Sequence, residues 1–203
     1  MKRQKSCSDR RSIDSVKKAL RDSIMLKEGV LKKEVGNVVK AASFIIGSLD
    51  SGGKVLVFGN GGSASDAQHI AAELVGRFKK ERMALPAIAL GSNSSIITAI
   101  ANDYGYDMTF SRQVEALGGK KDVALGISTS GNSANVLEAI KKARSMGMKT
   151  IGLLGSGGGR ISNDCDIAIV IDSSDTPRIQ EAHITIGHII CGLVEDSLFR
   201  RNI

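Results

Sequence analysis

KVLVFGNGGSASDAQH, Lys54 to His69, is the stretch that decides the fold. Val55–Phe58 is apolar at every position, as in a strand covered on both faces in a parallel sheet. Gly59-Asn60-Gly61-Gly62 then breaks the run, and a helix is expected over about 63–78. A strand, a glycine turn and a helix form the repeating unit of doubly wound α/β folds. Working outward, β-rich runs recur at Ala87–Leu90, Val123–Ile127, Thr150–Leu154 and Ile167–Ile171, after the first at Lys54–Phe58. Helical spacing fills the gaps at about 94–101, 109–117 and 133–146, and a long helix closes the chain at about 176–200. Before the first strand, apolar residues from Leu20 to Leu49 recur at three- and four-residue intervals between Ser12 and Ser51. A break near Glu28–Gly29 divides them into a helical hairpin. The expected fold is α/β: a doubly wound, flavodoxin-like parallel sheet of five strands, with an N-terminal helical hairpin and a long C-terminal helix.

Composition narrows the function. The 203 residues are 42% hydrophobic and 24% charged, as in a globular domain. No apolar run nears the roughly 18 residues of a membrane span. The net charge of +7 is concentrated in residues 1–21, which hold eight Lys/Arg and two acids; the rest is nearly neutral. The expected division is a basic flexible leader, 1–14, and a single domain, 15–203. With no Trp, two Tyr and five Phe, the chain lacks the aromatics of a base-stacking surface, which argues against a nucleic-acid partner. Three cysteines, Cys7, Cys165 and Cys191, form no CxxC pair and read as reduced thiols of a cytoplasmic protein.

Two loops carry the chemistry. Gly59–Ala64 follows one strand and opens a helix, where backbone N–H groups and the helix dipole favour an anion. It also fits G-x-G-x-x-G/A, but no acid follows the next strand at Gly91-Ser92-Asn93-Ser94-Ser95, so a dinucleotide is disfavoured. Gly126-Ile127-Ser128-Thr129-Ser130-Gly131-Asn132-Ser133 repeats the construction with hydroxyls added. Neither loop carries the P-loop lysine, and Gly155–Arg160 lacks the GK[ST] ending. A single sugar phosphate suits the pair better than a triphosphate. For the second loop alone, a Ser-rich turn with an N-cap at Asn132 or Ser133 is the bland alternative.

His69 and Glu73, spaced i,i+4, share one helix face about 9 to 15 Å beyond Ser63. Arg178, Gln180, Glu181, His183 and His188 interrupt the apolar last helix, where buried polar groups need partners. Gln180 and His188 are about 12 Å apart along that helix. Sharing one metal would need a distorted first turn or two copies of the chain.

Four segments together resemble the phosphoheptose isomerases of the sugar isomerase (SIS) domain superfamily: GNGGSASDAQHIAAELVGRF at 59–78, AIANDYG at 99–105, LGISTSGNSANVLEAI at 125–140 and RIQEAHITIGHII at 178–190. The resemblance covers nearly all of 15–198. It implies an aldose–ketose isomerase converting sedoheptulose 7-phosphate to D-glycero-D-manno-heptose 7-phosphate, the first step toward nucleotide-activated heptose for lipopolysaccharide. By the same resemblance, substrate contacts fall on Asn60, Gly61, Gly62, Ser63, Glu73, Asn102, Asp103, Ser128, Thr129, Ser130, Ser133 and Gln180. One zinc per subunit would be held by His69, Glu73, Gln180 and His188, with Glu73 and His188 as the acid/base pair. A homotetramer with active sites between subunits is implied too. The chain departs from the family at its longer basic leader, at Gly91–Ser95 and at Pro177.

The competing reading is a non-enzymatic SIS-domain regulator that binds a phosphosugar or a replication initiator. The set His69, Glu73, Gln180 and His188 separates the two, since a binding module has no need of an acid/base pair beside a phosphate cradle.

Overall fold

The computed structural model describes residues 3–199, with side chains from Asp9 onward. Five parallel strands form one sheet: β1 (Val55–Gly59), β2 (Ala87–Ala89), β3 (Val123–Ser128), β4 (Lys149–Leu154) and β5 (Ile167–Val170). Their order is β2-β1-β3-β4-β5, with Val55 opposite both Ala87 and Val123. The chain thus leaves β1 toward β2 and returns to the other side at β3. The carboxyl ends of β1 and β3 flank the switch point, where such sheets open a ligand crevice.

The sheet is covered on both sides because its strands alternate buried residues. Val55, Val57, Leu125 and Ile127 pack with α2 (Val35–Asp50), α3 (Gly62–Val75) and α7 (Thr176–Leu198). Leu56, Phe58 and Ala124 face α5 (Ser111–Leu117) and α6 (Ala134–Ser145). The period of two sends neighbouring residues into opposite layers, so β1 is buried along its whole length. Between β2 and α5, α4 (Ser94–Tyr104) lies on the surface with Asn93 as its cap, the side chain accepting from Ile96 N.

The expected fold class holds, and the strands begin and end within a residue or so of expectation. The N-terminus is different. α1 (Arg3–Lys33) runs straight through Gly29, and the junction with α2 is at Glu34. There Glu34 N donates to Val30 O and Val38 N to Glu34 O, so helical bonding continues across the bend. The pair is a kinked rod rather than a hairpin: one interior glycine costs only about 1 kcal/mol, and no proline stops the helix. For the same reason the expected flexible leader, 1–14, is helical from Arg3 onward; Met1 and Lys2 lie outside the described residues. Both α1 and α2 pack on α7, and the Arg178 guanidinium donates to Ala19 O at 2.9 Å.

Candidate active site

The first loop needs glycine. Gly61 has φ +55°, a conformation L side chains rarely adopt, and it turns the chain from β1 into α3. Ser63 is buried at the first turn. Asn60 does not point free into solvent. Its Nδ2 donates to Asn135 Oδ1 at 2.8 Å, and Asn135 Nδ2 returns a bond to Asn60 Oδ1 at 2.9 Å. Tyr106 Oη donates to the same Oδ1 at 2.9 Å. This bracket ties the loop after β1 to the helix after β3.

In the second loop the hydroxyls converge. Ser128 Oγ lies 3.1 Å from Ser133 Oγ and 3.4 Å from Ser130 Oγ, while Ser130 Oγ accepts from Asn132 N at 3.2 Å. The N-cap of α6, Ser133, makes no side-chain cap bond, so its hydroxyl and the first-turn amides of α6 remain oriented for an anion. Thr129 is half-buried, and its carbonyl accepts from Ser156 Oγ. A third glycine loop, 155–159, braces this one from behind. Ile161 N donates to Gly131 O at 3.0 Å, and Arg160 N to Asn132 Oδ1 at 3.0 Å.

Two turns along α3 stands a cluster of three ligating groups. His69 Nε2 is 2.9 Å from His188 Nε2 and 3.2 Å from Glu73 Oε1. One ligand atom from each of the three falls within 4.8 Å of the others. Two imidazoles and a carboxylate are a zinc donor set, and their ligand atoms are close enough together to share one ion. The three residues therefore fit the expected metal. Gln180, the fourth expected ligand, is not with them in the same chain. Its amide lies against Gly62, where any side chain would overlap it. α3 and α7 run side by side, so Gln180 meets the start of α3 and His188 its second turn. Within one chain Gln180 is thus placed at the loop, not at the metal cluster. Asn102 and Asp103 stand exposed at the end of α4, Asn102 Nδ2 donating to Asp103 Oδ1 at 2.8 Å.

Two features escaped the sequence reading, the partners of Asn60 and the buried carboxyl of Asp66. Asn135 and Tyr106 buttress Asn60; a polar residue just inside an apolar helix start was the only sign of the first. Asp66, one turn before His69, has Oδ2 buried without a partner among the described residues. Burial raises its carboxyl above the usual range, opposed in part by His69. His183 is wholly buried on α7. Burial lowers it from 6.5 to about 4, offset only in part by the Leu154 main chain, so it is neutral at physiological pH. The thiols of Cys165 and Cys191 are free, and burial pushes both up to about 12, well away from reactivity.

A doubly wound sheet with two glycine- and serine-bearing loops at its switch point defines the class. The SIS domain family matches residues 20–155, and this chain is an SIS-domain protein. Within that class it belongs to the phosphoheptose isomerase family. The phosphoheptose isomerase of Geobacter sulfurreducens is 54% identical over 187 residues, covering 92% of this chain and 99% of the relative. That of Thermodesulfovibrio yellowstonii is 50% identical over 186 residues, 92% of each. Among solved structures, the phosphoheptose isomerase GmhA from Neisseria gonorrhoeae superposes with a TM-score of 0.86 at 44% identity, covering 90% of this chain and 98% of that one.

Proposed function

We propose that the chain isomerises sedoheptulose 7-phosphate to D-glycero-D-manno-heptose 7-phosphate as a cytoplasmic enzyme. The observation that carries this reading is the meeting of His69 and Glu73, on the helix that starts at the first glycine loop, with His188 of α7. No described helix is long and apolar enough to cross a membrane.

The sugar's phosphate is taken by the Ser128–Ser133 cradle, with Ser63 and the amides of Gly61 and Gly62 facing the crevice from β1. Asn60, Thr129 and Gln180 line the same end, and Asn102 and Asp103 reach the sugar hydroxyls. At the other end the reaction moves a carbonyl from C2 to C1. A base takes a proton from C1, the electrons form the C1=C2 bond of an enediol, and a proton is returned to C2. Meanwhile the hydroxyl proton on O1 is lost and O2 gains one. Glu73 and His188 bring a carboxylate oxygen and an imidazole nitrogen within 4.8 Å of each other at this end of the crevice, and we assign them these transfers. A zinc ion held by His69, Glu73 and His188 would supply Lewis acidity for negative charge developing on oxygen.

The working unit we infer is a homotetramer. Leu31, Val35, Val39, Ile189 and Leu193 are exposed large apolar residues around a groove of about 380 Å³ between α1, α2 and α7. Assembly is also the route by which Gln180 joins the ligand set, supplied by a second copy. Residues 15–203 act as the SIS domain.

The test is direct. Sedoheptulose 7-phosphate is incubated with the protein, with zinc and with a chelator, and the aldose is followed. Formation of the aldose, lost on chelation and restored by zinc, is expected. An intact, zinc-loaded protein that makes none overturns the reading.

A further inference from the structure

We propose that Phe78, anchored by a buried Arg82–Glu195 pair, is the positioning residue that aims the His188 imidazole at Glu73 and His69. The proposal rests on the role given to His188 above.

After α3 ends at Val75 the chain has no regular structure until β2, and where Phe78, Lys80 and Arg82 are half-buried the main chain must still satisfy its amides. The Glu195 carboxylate does so from α7, two turns beyond His188. It accepts from Phe78 N at 3.1 Å, Lys79 N at 2.9 Å and Lys80 N at 2.7 Å. Arg82 Nε donates to it at 3.1 Å, and the two side chains are only 1% and 2% exposed. Burial opposes the charge of Glu195, but the three amides and the guanidinium outweigh it and hold the carboxyl below its usual range. Arg82 also grips the end of α3: Nη2 donates to Glu73 O at 2.8 Å and Nη1 to Leu74 O at 2.9 Å, while Nη1 also reaches Met83 O at 2.9 Å. The main chain that carries Glu73 and the loop that carries Phe78 are therefore fastened to one buried point on α7.

That point sets the Phe78 ring on His188. The centroids are 5.7 Å apart and the planes 25° from parallel. On its other side His188 meets the His69 ring edge-on at 5.0 Å. Tilting the imidazole plane about its Cβ–Cγ bond would break the stack, so the plane is held, and the 2.9 Å contact with His69 Nε2 keeps the Nε2 edge on the ligand cluster. A buried ion pair is weak evidence for stability, because desolvation takes back most of its attraction. Its use here is geometric. A partner that orients a metal-ligating histidine is typically worth about 10- to 100-fold in metal affinity or activity.

Phe78→Ala, Phe78→Leu and Phe78→Tyr are each compared with the full-length wild type. Circular dichroism establishes folding, and Phe78→Leu preserves most of the packing if Phe78→Ala does not fold. Metal-free protein is titrated with cobalt(II), followed by its visible absorption, and kcat and KM are measured for sedoheptulose 7-phosphate. Cobalt affinity and kcat should fall about tenfold in the Ala and Leu variants with KM within about twofold, and Phe78→Tyr should restore both. Unchanged cobalt affinity and kcat in folded Ala or Leu variants overturn the proposal, as does an equal loss in Phe78→Tyr. A wild type that makes no aldose overturns the functional reading instead, and the cobalt titration still decides the positioning.

Discussion

At the scale of single residues, Glu73 and His188 are the two groups to which we assign the proton transfers. Glu73→Gln and His188→Gln keep size and hydrogen bonding while removing the acid or base. Steady-state kinetics should show turnover lower by about 10²- to 10⁴-fold in each. Full turnover in both would remove the assignment. His183 gives a prediction of another kind. Its folded value, about 4, lies below its ordinary 6.5. Between those values the unfolded chain binds a proton that the folded chain refuses. The neutral ring's contribution is therefore complete above about pH 6.5 and is lost as pH falls toward 4. By pH 5 the loss should be about 2 kcal/mol. Urea unfolding at pH 7.5 and pH 5 should show it in the wild type and much less of it in His183→Gln.

At the scale of elements, the loops at the switch point depend on backbone conformations that only glycine adopts easily. Gly61 has φ +55° with open space where a Cβ would stand, so Gly61→Ala tests the backbone alone. A destabilisation of about 1–3 kcal/mol is expected. Gly131 has φ +65°, and a Cβ there would also run into the Gly158 backbone. Gly131→Ala should cost more than Gly61→Ala, measured by thermal or urea unfolding; the reverse order would show that the third loop does not brace the second. Hydroxyls at the start of α6 should govern affinity rather than chemistry. Removing a hydrogen bond to a charged group forfeits about 1.5–3 kcal/mol, so Ser128→Ala with Ser130→Ala should raise KM at least tenfold while kcat changes far less. Equal affinity for sedoheptulose with and without phosphate would remove the cradle from the mechanism.

At the scale of the whole molecule, the exposed apolar face on α1, α2 and α7 is the feature an isolated chain does not explain. Leu31 is 70% and Ile189 48% exposed, so a charge at either position costs the single chain little. Leu31→Glu with Ile189→Glu should leave secondary structure intact and shift sedimentation from the proposed tetramer to smaller species. Activity should fall in parallel if Gln180 serves a neighbouring copy. An unchanged sedimentation coefficient would place the assembly face elsewhere.

Much of the molecule was legible in the order of residues alone. Apolar runs of strand length, glycine at their ends and helical spacing between them are local signals, and they specify a doubly wound sheet because both faces must be covered. The spacing of His69 and Glu73 is local too, and it put both on one helix face. The tertiary structure alone decided the rest, because it depends on which distant elements lie side by side. It straightened the expected hairpin into a bent rod, carried His188 to His69 and left Gln180 at Gly62. It also joined Asn60 to Asn135, and Glu195 to a loop more than a hundred residues before it. The pairings of His188, Gln180 and Glu195 are set by how α7 packs beside α3, and that of Asn60 with Asn135 by the adjacency of β1 and β3; no periodicity in the sequence records either contact.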